Sequence, residues 1–462
     1  MLPSALRYRL PLLLHGLASL LAGDDPRNRA QRVALIAFLI RIVSAAIAFV
    51  SQIVLARLVG EFEYGIFIFV WVLVVLFGNL SCLGFHATVI RFLPEYHTTA
   101  ALANIRGLTT TARVFAMLSA TVLAAVGGAG LWLFGSAIES YYVIPLYLGL
   151  FTLPMIALGD VLDGTARAHS WPIVAMSPTY LVRPLLILGF MVIAIAAGLP
   201  RDATTAMGAA LGAAYVTTLG QFVTMAWRLR RHYVRGPMKI ELGRWLSVSL
   251  PIFLVDGFGF LLTNSDVVIV GLYLNPDDVA VYFAAAKTMA LVHFVMFAVK
   301  AAAGPRFSAA MAAGDRRQLA EIAVESARWS FWPSLVIGGC VLAAGNILLS
   351  LFGPAFTAGA PLMAILLAGI LAKAFVGPAE TLLTMAGRQK LCVLLYAAAL
   401  GVNIALNVTL IPVFGLTGAA AATAGAMFVE AAILHFAVRR TFGFPLLAVA
   451  GAGSVNNKNE AI

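Results

Sequence analysis

Twelve almost wholly apolar runs, each longer than twenty residues, follow one another along the chain. They cover 33–58, 65–90, 108–134, 142–163, 172–198 and 205–227, then 246–273, 280–303, 327–352, 360–386, 391–413 and 417–438. About 20 residues of α-helix, at about 1.5 Å each, cross the ~30 Å hydrocarbon core of a bilayer. Within that core every backbone N–H and C=O must be paired inside the segment, so runs of this kind become helices. Of the 462 residues, 61% are hydrophobic and 11% charged, against about 25% charged in soluble domains. No stretch between the runs is polar enough to give a soluble domain its surface. The chain reads as an all-α integral membrane protein with about 12 transmembrane helices.

The formal net charge of +11 is unevenly placed. After even-numbered runs stand Arg91 and Arg106, Arg167, the cluster Arg228, Arg230, Arg231, Arg235, Lys239 and Arg244, then Arg306, Arg316 and Arg317, Arg388 and Lys390, and Arg439 and Arg440. After odd-numbered runs stand Glu61, Glu63, Glu139, Asp277 and Asp278, with Arg201 beside Asp202. Short loops rich in Lys and Arg stay cytoplasmic. Both termini are therefore expected on the cytoplasmic face of a bacterial inner membrane. Six of the seven tryptophans (Trp132, Trp171, Trp227, Trp245, Trp329 and Trp332) fall near run ends, as an interfacial belt requires. Near the N-terminus, Leu10, Leu13, Leu14, Leu17, Leu20 and Leu21 form one helical stripe. With Arg7 and Arg9 ahead of it, this stripe fits either a cleaved secretory leader or a helix lying in the interface. Arg27, Arg29 and Arg32 directly after it favour the uncleaved interfacial helix.

The longest polar connection, 228–245, divides the runs six and six. Arg91-Phe92 after the second run recurs as Arg306-Phe307 after the eighth, 215 residues on, and Gly65 and Phe67 match Ala280 and Tyr282 at the same offset. Gly208-Ala209-Ala210 and Arg230-Arg231 are echoed by Gly418-Ala419-Ala420 and Arg439-Arg440. This order predicts two six-helix lobes related by a pseudo-two-fold axis along the membrane normal, with a central cavity between them. The organisation is then a cytoplasmic segment with its interfacial helix (1–32), an N-lobe (33–227), a cytoplasmic basic linker (228–245), a C-lobe (246–438) and a cytoplasmic tail (439–462).

Other function classes find little support. Cys82, Cys340 and Cys392 are far apart inside apolar runs, and the seven histidines show no HxxxH or HExxH spacing, so neither a disulfide framework nor a metal site is expected. There is no GxxxxGK[ST] phosphate loop, no DxD pair and no sizeable extramembrane loop, which argues against a nucleotide-driven pump and against a membrane glycosyltransferase or polymerase. The basic residues report orientation and not nucleic acid. No enzyme and no cofactor is expected; a proton or sodium gradient remains as a source of energy.

Several junctions resemble a known family. Leu58-Val59-Gly60-Glu61-Phe62-Glu63-Tyr64-Gly65-Ile66-Phe67 and Arg91-Phe92-Leu93-Pro94-Glu95-Tyr96 are similar to the ends of the second helix in polysaccharide-transport proteins. Those proteins, which include the O-antigen flippases, are members of the MOP (multidrug/oligosaccharidyl-lipid/polysaccharide) exporter superfamily. Asn264-Ser265-Asp266 with Asp278 and Val281-Tyr282 resembles the family's seventh–eighth junction. Asn403 and Asn407 with Leu410-Ile411-Pro412 and Gly415-Leu416-Thr417-Gly418-Ala419-Ala420 resembles the eleventh–twelfth. The likeness runs from about residue 35 to 440. It departs at Ala280, where the family often has Gly before an aromatic. The resemblance implies transport of a sugar chain on a polyprenyl diphosphate between leaflets, contact with membrane lipids and other polysaccharide-assembly proteins, and no covalent chemistry. Its multidrug branch keeps a drug or cation antiporter open as the alternative.

Ionisable side chains inside the runs mark the candidate site, because each costs roughly 2.5–3.5 kcal/mol at a helix centre. Four are basic: Arg41, Arg183, Lys287 and Lys373. They form either a cationic cavity for an anionic head group or one half of a set of structural ion pairs. Asp256, Asp266, Glu380 and Glu430 are the acids, expected to couple an ion or to compensate those cations. Arg57 and Lys300 are expected as interfacial anchors, and His86 and His293 as hydrogen-bonded packing histidines in preference to a proton relay. Pro172, Pro178 and Pro184 should bend the fifth helix, and Pro251, Gly257 and Gly259 the seventh. Arg41 and Asp256 share the 215-residue offset and so similar depth; either they interact, directly or through water, in one conformation and separate in the other, or they are two independent polar positions on the cavity wall.

Overall fold

The computed structural model describes residues 26–234 and 236–449. The leucine stripe before residue 26 and residues 450–462 of the tail lie outside them. Every regular element among the described residues is a helix. Helix α1 (Pro26–Val59) stops at Gly60, whose φ of 86° turns the chain straight into α2 (Glu61–Ser81). Leu83 (φ 44°) and Gly84 (φ 77°) then interrupt α2 before it resumes as Phe85–Thr98. Helices α3 (Leu102–Phe134), α4 (Ser140–Ala168), α5 (Pro172–Ala196) and α6 (Ala203–His232) complete the first lobe. The second lobe opens with α7 (Leu242–Tyr273), α8 (Pro276–Ala312) and α9 (Arg316–Ala343), the last bent by 59° into Gly345–Phe352. Helix α10 (Ala355–Met385) follows.

The final helical stretch, Gln389–Phe442, has 54 residues. Straight, it would be about 80 Å long, far beyond one bilayer. It reverses at Gly415 (φ 57°, ψ −134°). A Cβ on Gly418 would lie 2.3 Å from the Leu410 carbonyl oxygen, and one on Gly425 3.2 Å from the Leu406 side chain. In a straight helix residues 410 and 418 would be about 12 Å apart. The stretch is therefore two antiparallel helices, α11 (389–414) and α12 (416–442). Ten helices pass for membrane spans singly, or eleven when the bent α9 counts as one; the reversal at Gly415 brings the described residues to the twelve expected.

The two lobes meet along α2, which packs on α7 and α8. At the end of the molecule that carries the α1–α2 turn, a Cβ on Gly65 would lie 1.8 Å from the Pro276 carbonyl oxygen. Only a glycine lets these backbones touch. The Tyr64 ring sits 6.4 Å from Phe283 and 6.0 Å from Phe356, sealing the same end. Arg57, expected as an interfacial anchor, donates to the carbonyls of Ser350 and Leu351. Those are orphan acceptors at the end of the bent α9, where a cation is favoured. At the opposite end, Arg244 pairs with Glu95 at 2.9 Å and Trp245 Nε1 donates to the Tyr96 hydroxyl at 3.0 Å. The Arg91–Tyr96 motif is thus the surface on which α7 docks.

The basic linker is shorter than 228–245. Arg228, Arg230 and Arg231 belong to α6, which runs through His232, and Arg244 belongs to α7. The stretch between α6 and α7 lies on α3: Lys239 N–H donates to Ala103 at 3.0 Å, and Arg106 to the Pro237 and Val234 carbonyls at 2.9 and 2.8 Å. Hydrogen bonds from Lys239 and Asn104 hold the Glu241 carboxyl down at about 2. The tail is not free either. Phe444, Leu446 and Ala448 are buried, and Ala448 N–H donates to Phe375 at 2.9 Å. The Gly377-Pro378 break in α10 leaves that carbonyl open.

Candidate functional site

Helix α5 shows how proline spacing builds the site. Pro178 has no N–H, so the Val174 carbonyl one turn earlier loses its helical donor. Gln221 on α6 supplies one, with Nε2 2.9 Å from Val174 O and 3.3 Å from Ala175 O. The helix widens into a π turn over Pro178–Val182, closed by the Arg183 N–H on the Pro178 carbonyl. Such single π turns are rare and recur at functional positions. Arg183 is the first residue after it, 7% exposed, with Nε 3.4 Å from the Thr217 hydroxyl.

Arg183 lines a cavity of about 530 Å³ bounded by α1, α2, α5 and α8. Arg41 enters from α1, its guanidinium 4.7 Å from the centre of the Tyr180 ring. Lys287 enters from α8, its ammonium 5.0 Å from the Phe283 ring. Trp71 and Gln52 complete the wall. Among the described residues, no carboxylate lies within 4.0 Å of any of these three cations. The aromatic faces take up part of the charge.

A second cavity of about 400 Å³ lies within the second lobe, and Lys287 lines that one too. Here the charges are matched. Lys373 Nζ is 2.8 Å from the Glu430 carboxylate, which is 3% exposed. Asp266 accepts from the Tyr282 hydroxyl and from the Val267 N–H, both at 2.8 Å, and Tyr282 also meets Thr423 at 3.0 Å. A space of about 300 Å³ beside Trp71 and Asn264 shares walls with both cavities.

The eight expected site residues thus separate. Arg41, Arg183 and Lys287 converge on one cavity. Lys373 does not join them; its neighbour on α12 claims it. Asp266 and Glu430 line the second cavity, already engaged. Glu380 lies elsewhere, paired with Lys300 at 2.6 Å. Asp256 departs furthest from expectation. It stands seven residues after Ser249, two helical turns on, and so shares the face of α7 that Ser249 presses on the Leu83 carbonyl of α2. Its carboxylate meets His86 at 3.2 Å while Arg41 stacks on Tyr180, so the expected Arg41–Asp256 contact is absent from this conformation. His86 is thus hydrogen-bonded across the seam between the lobes. Gln221, Tyr180 and Trp71 were not foreseen. Trp71 carried a signal, as the one tryptophan remote from a run end, and Gln221 another, as an amide in an apolar run.

A family model described as polysaccharide biosynthesis protein matches residues 32–311, and one described as MatE matches 251–409. No curated protein matches the chain. Among similar solved structures is the lipid II flippase MurJ in an inward closed conformation: TM-score 0.70, 13% identity, 88% of this chain and 87% of that one. Another is an inward-facing multidrug resistance MATE family transporter of the MOP superfamily, with TM-score 0.66, 14% identity, 87% of this chain and 94% of that one. A third, a MOP superfamily transporter from Pyrococcus furiosus Vc1 with a binding pocket of reverse polarity, has TM-score 0.59 and 15% identity over 92% and 97% of the two chains. At these identities the likeness is one of fold.

Proposed function

Because the chain belongs to the polysaccharide biosynthesis protein family, a group of membrane transporters in the MOP superfamily, we propose that it flips a polyprenyl-diphosphate-linked oligosaccharide from the cytoplasmic to the periplasmic leaflet by alternating access. One observation carries this reading: Arg41, Arg183 and Lys287 line a single cavity between α1, α5 and α8, with no carboxylate within 4.0 Å of any of them among the described residues. Unpaired cations inside membrane-spanning helices are tolerated when an anion completes them. A diphosphate suits them, since guanidinium forks bind phosphate oxygens two at a time and a lysine adds a mobile charge. The rings of Tyr180 and Trp71 give the same cavity apolar faces beside its charges.

The rival reading, an antiporter of cationic drugs, would ask a cation to approach that cluster. The acids that could receive it, Asp266 and Glu430, are engaged by Tyr282 and Lys373. In the flippase reading the arginine-rich linker end faces the cytoplasm of the inner membrane. A proton or sodium gradient drives the cycle, and other polysaccharide-assembly proteins supply and receive the glycan.

Purified protein in vesicles, given a fluorescent oligosaccharide on a polyprenyl diphosphate in the outer leaflet, tests the proposal. Protein-containing vesicles should expose the label to the opposite side faster than empty ones, and Arg183→Ala should abolish the difference. Vesicles that move a cationic dye but leave the glycolipid where it was would support the antiporter instead.

A further inference from the structure

His86 opens the second half of α2, two residues beyond the left-handed turn at Leu83 and Gly84. Three helices close on this point. A Cβ on Gly164 of α4 would lie 2.1 Å from the His86 carbonyl oxygen, and one on Gly84 2.3 Å from the Ser249 carbonyl of α7. The backbones touch here with no side chain between them. Leu83 holds its left-handed conformation without a glycine's freedom, and its carbonyl accepts from the Ser249 hydroxyl. The break in α2 is therefore held in shape by the other lobe.

Into the same junction α7 sends Asp256, whose Oδ2 is 3.2 Å from His86 Nε2. The second ring nitrogen, Nδ1, is buried and has no hydrogen-bond partner among the described residues. The other charged groups facing the ring are Asp160 and Arg167, both on α4. Asp160 accepts from Asn79 at 3.2 Å and lies within electrostatic reach of Arg183. A line of polar groups thus runs from the cavity to the seam: Arg183, Asp160, His86 and then Asp256 of the opposite lobe. The ring thus has one carboxylate at hydrogen-bond distance and a second within electrostatic reach. Imidazole is the side chain whose ordinary charge change falls between about pH 5 and 8. A charged donor makes a hydrogen bond roughly twice as strong as a neutral one.

We propose that His86 is a proton-binding site of the transport cycle: its imidazolium ties α2 to α7 through Asp256, and loss of the proton frees the second half of α2 to turn about Leu83–Gly84. The proposal holds whatever the substrate is, because it concerns the contact between the lobes and not the cavity's cargo.

Spin labels at Thr98→Cys on α2 and Ser247→Cys on α7, in the full chain carrying Cys340→Ser, read the width of the seam. The expected result is a short distance at about pH 5 that gives way to a longer one as pH rises through the histidine range. His86→Gln should show the longer distance throughout. His86→Lys, which keeps the charge, should hold the short distance to about pH 9. A wild-type distance that does not change with pH, or a titration that persists in His86→Gln, would overturn the proposal. If His86→Gln does not accumulate, Asp256→Asn carries the same comparison, because it removes the partner and leaves the ring.

Discussion

Gln221 on α6 donates from Nε2 to the Val174 carbonyl of α5, 2.9 Å away, at the acceptor that Pro178 leaves without its helical donor. The side chain is 3% exposed, so nothing from solvent can replace it. A buried acceptor left open costs about 1–3 kcal/mol. Gln221→Leu should lower thermal stability by about that amount and loosen the π turn that aims Arg183. Transport should fall more than the loss of folded protein explains. Unfolding scans and transport per folded molecule, measured together, check it.

Arg183→Ala is expected to reduce glycolipid flipping at least about tenfold, the change that 1.4 kcal/mol represents, while the protein still inserts. Arg183→Lys should restore part of it, since a lysine brings charge without the planar fork. Near-wild-type flipping with Ala would remove this residue from the site.

Lys287 and Lys373 should behave as opposites. Lys373→Met leaves Glu430 buried without its partner at 2.8 Å and should destabilise the protein by on the order of 3 kcal/mol. Adding Glu430→Leu should recover most of that loss. Lys287 has no carboxylate within ion-pair distance among the described residues, so Lys287→Met should leave stability nearly unchanged and impair transport. Thermal shifts for the three variants decide the matter.

Gly65→Ala puts a methyl group 1.8 Å from the Pro276 carbonyl oxygen, and neither atom belongs to a flexible side chain. The lobes must part at that end or strain. Both outcomes lower the unfolding temperature, and labels across the Gly65–Pro276 contact should separate. An unchanged distance with wild-type stability would show that the seam yields there freely.

Reporter fusions after Gly236 and after Pro276 should lie on opposite sides of the membrane, the first cytoplasmic and the second periplasmic. The linker around Gly236 is crowded with arginine, whereas Pro276 precedes Asp277 and Asp278. Both reporters on one side would contradict the charge-based orientation.

Much of this fold is written locally, and so could be read from the chain alone. Each span depends on its own run of apolar residues, because backbone groups in hydrocarbon must be paired within the segment. The bend of α5 follows from Pro172, Pro178 and Pro184, whose missing N–H groups act within one or two turns. The reversal at Gly415 and the short turn at Gly60 need only a residue that tolerates positive φ. The charges inside apolar runs could also be listed without tertiary information, since each is visible as such.

What each buried charge meets is another matter. Lys287 and Lys373 looked alike in sequence. One has no carboxylate within ion-pair distance among the described residues, and the other is claimed by Glu430 on α12, 57 residues further along the chain. Asp256 could have faced Arg41 by the symmetry of the repeat, yet the rotation of α7 turns it to His86 on α2. Partners of this kind depend on which faces of two distant helices are pressed together. Side-chain packing across the whole bundle sets those faces, and no local rule encodes them. The sequence by itself determined the helices and the charges they carry; only the tertiary structure decided which charges are paired and which three converge on the cavity.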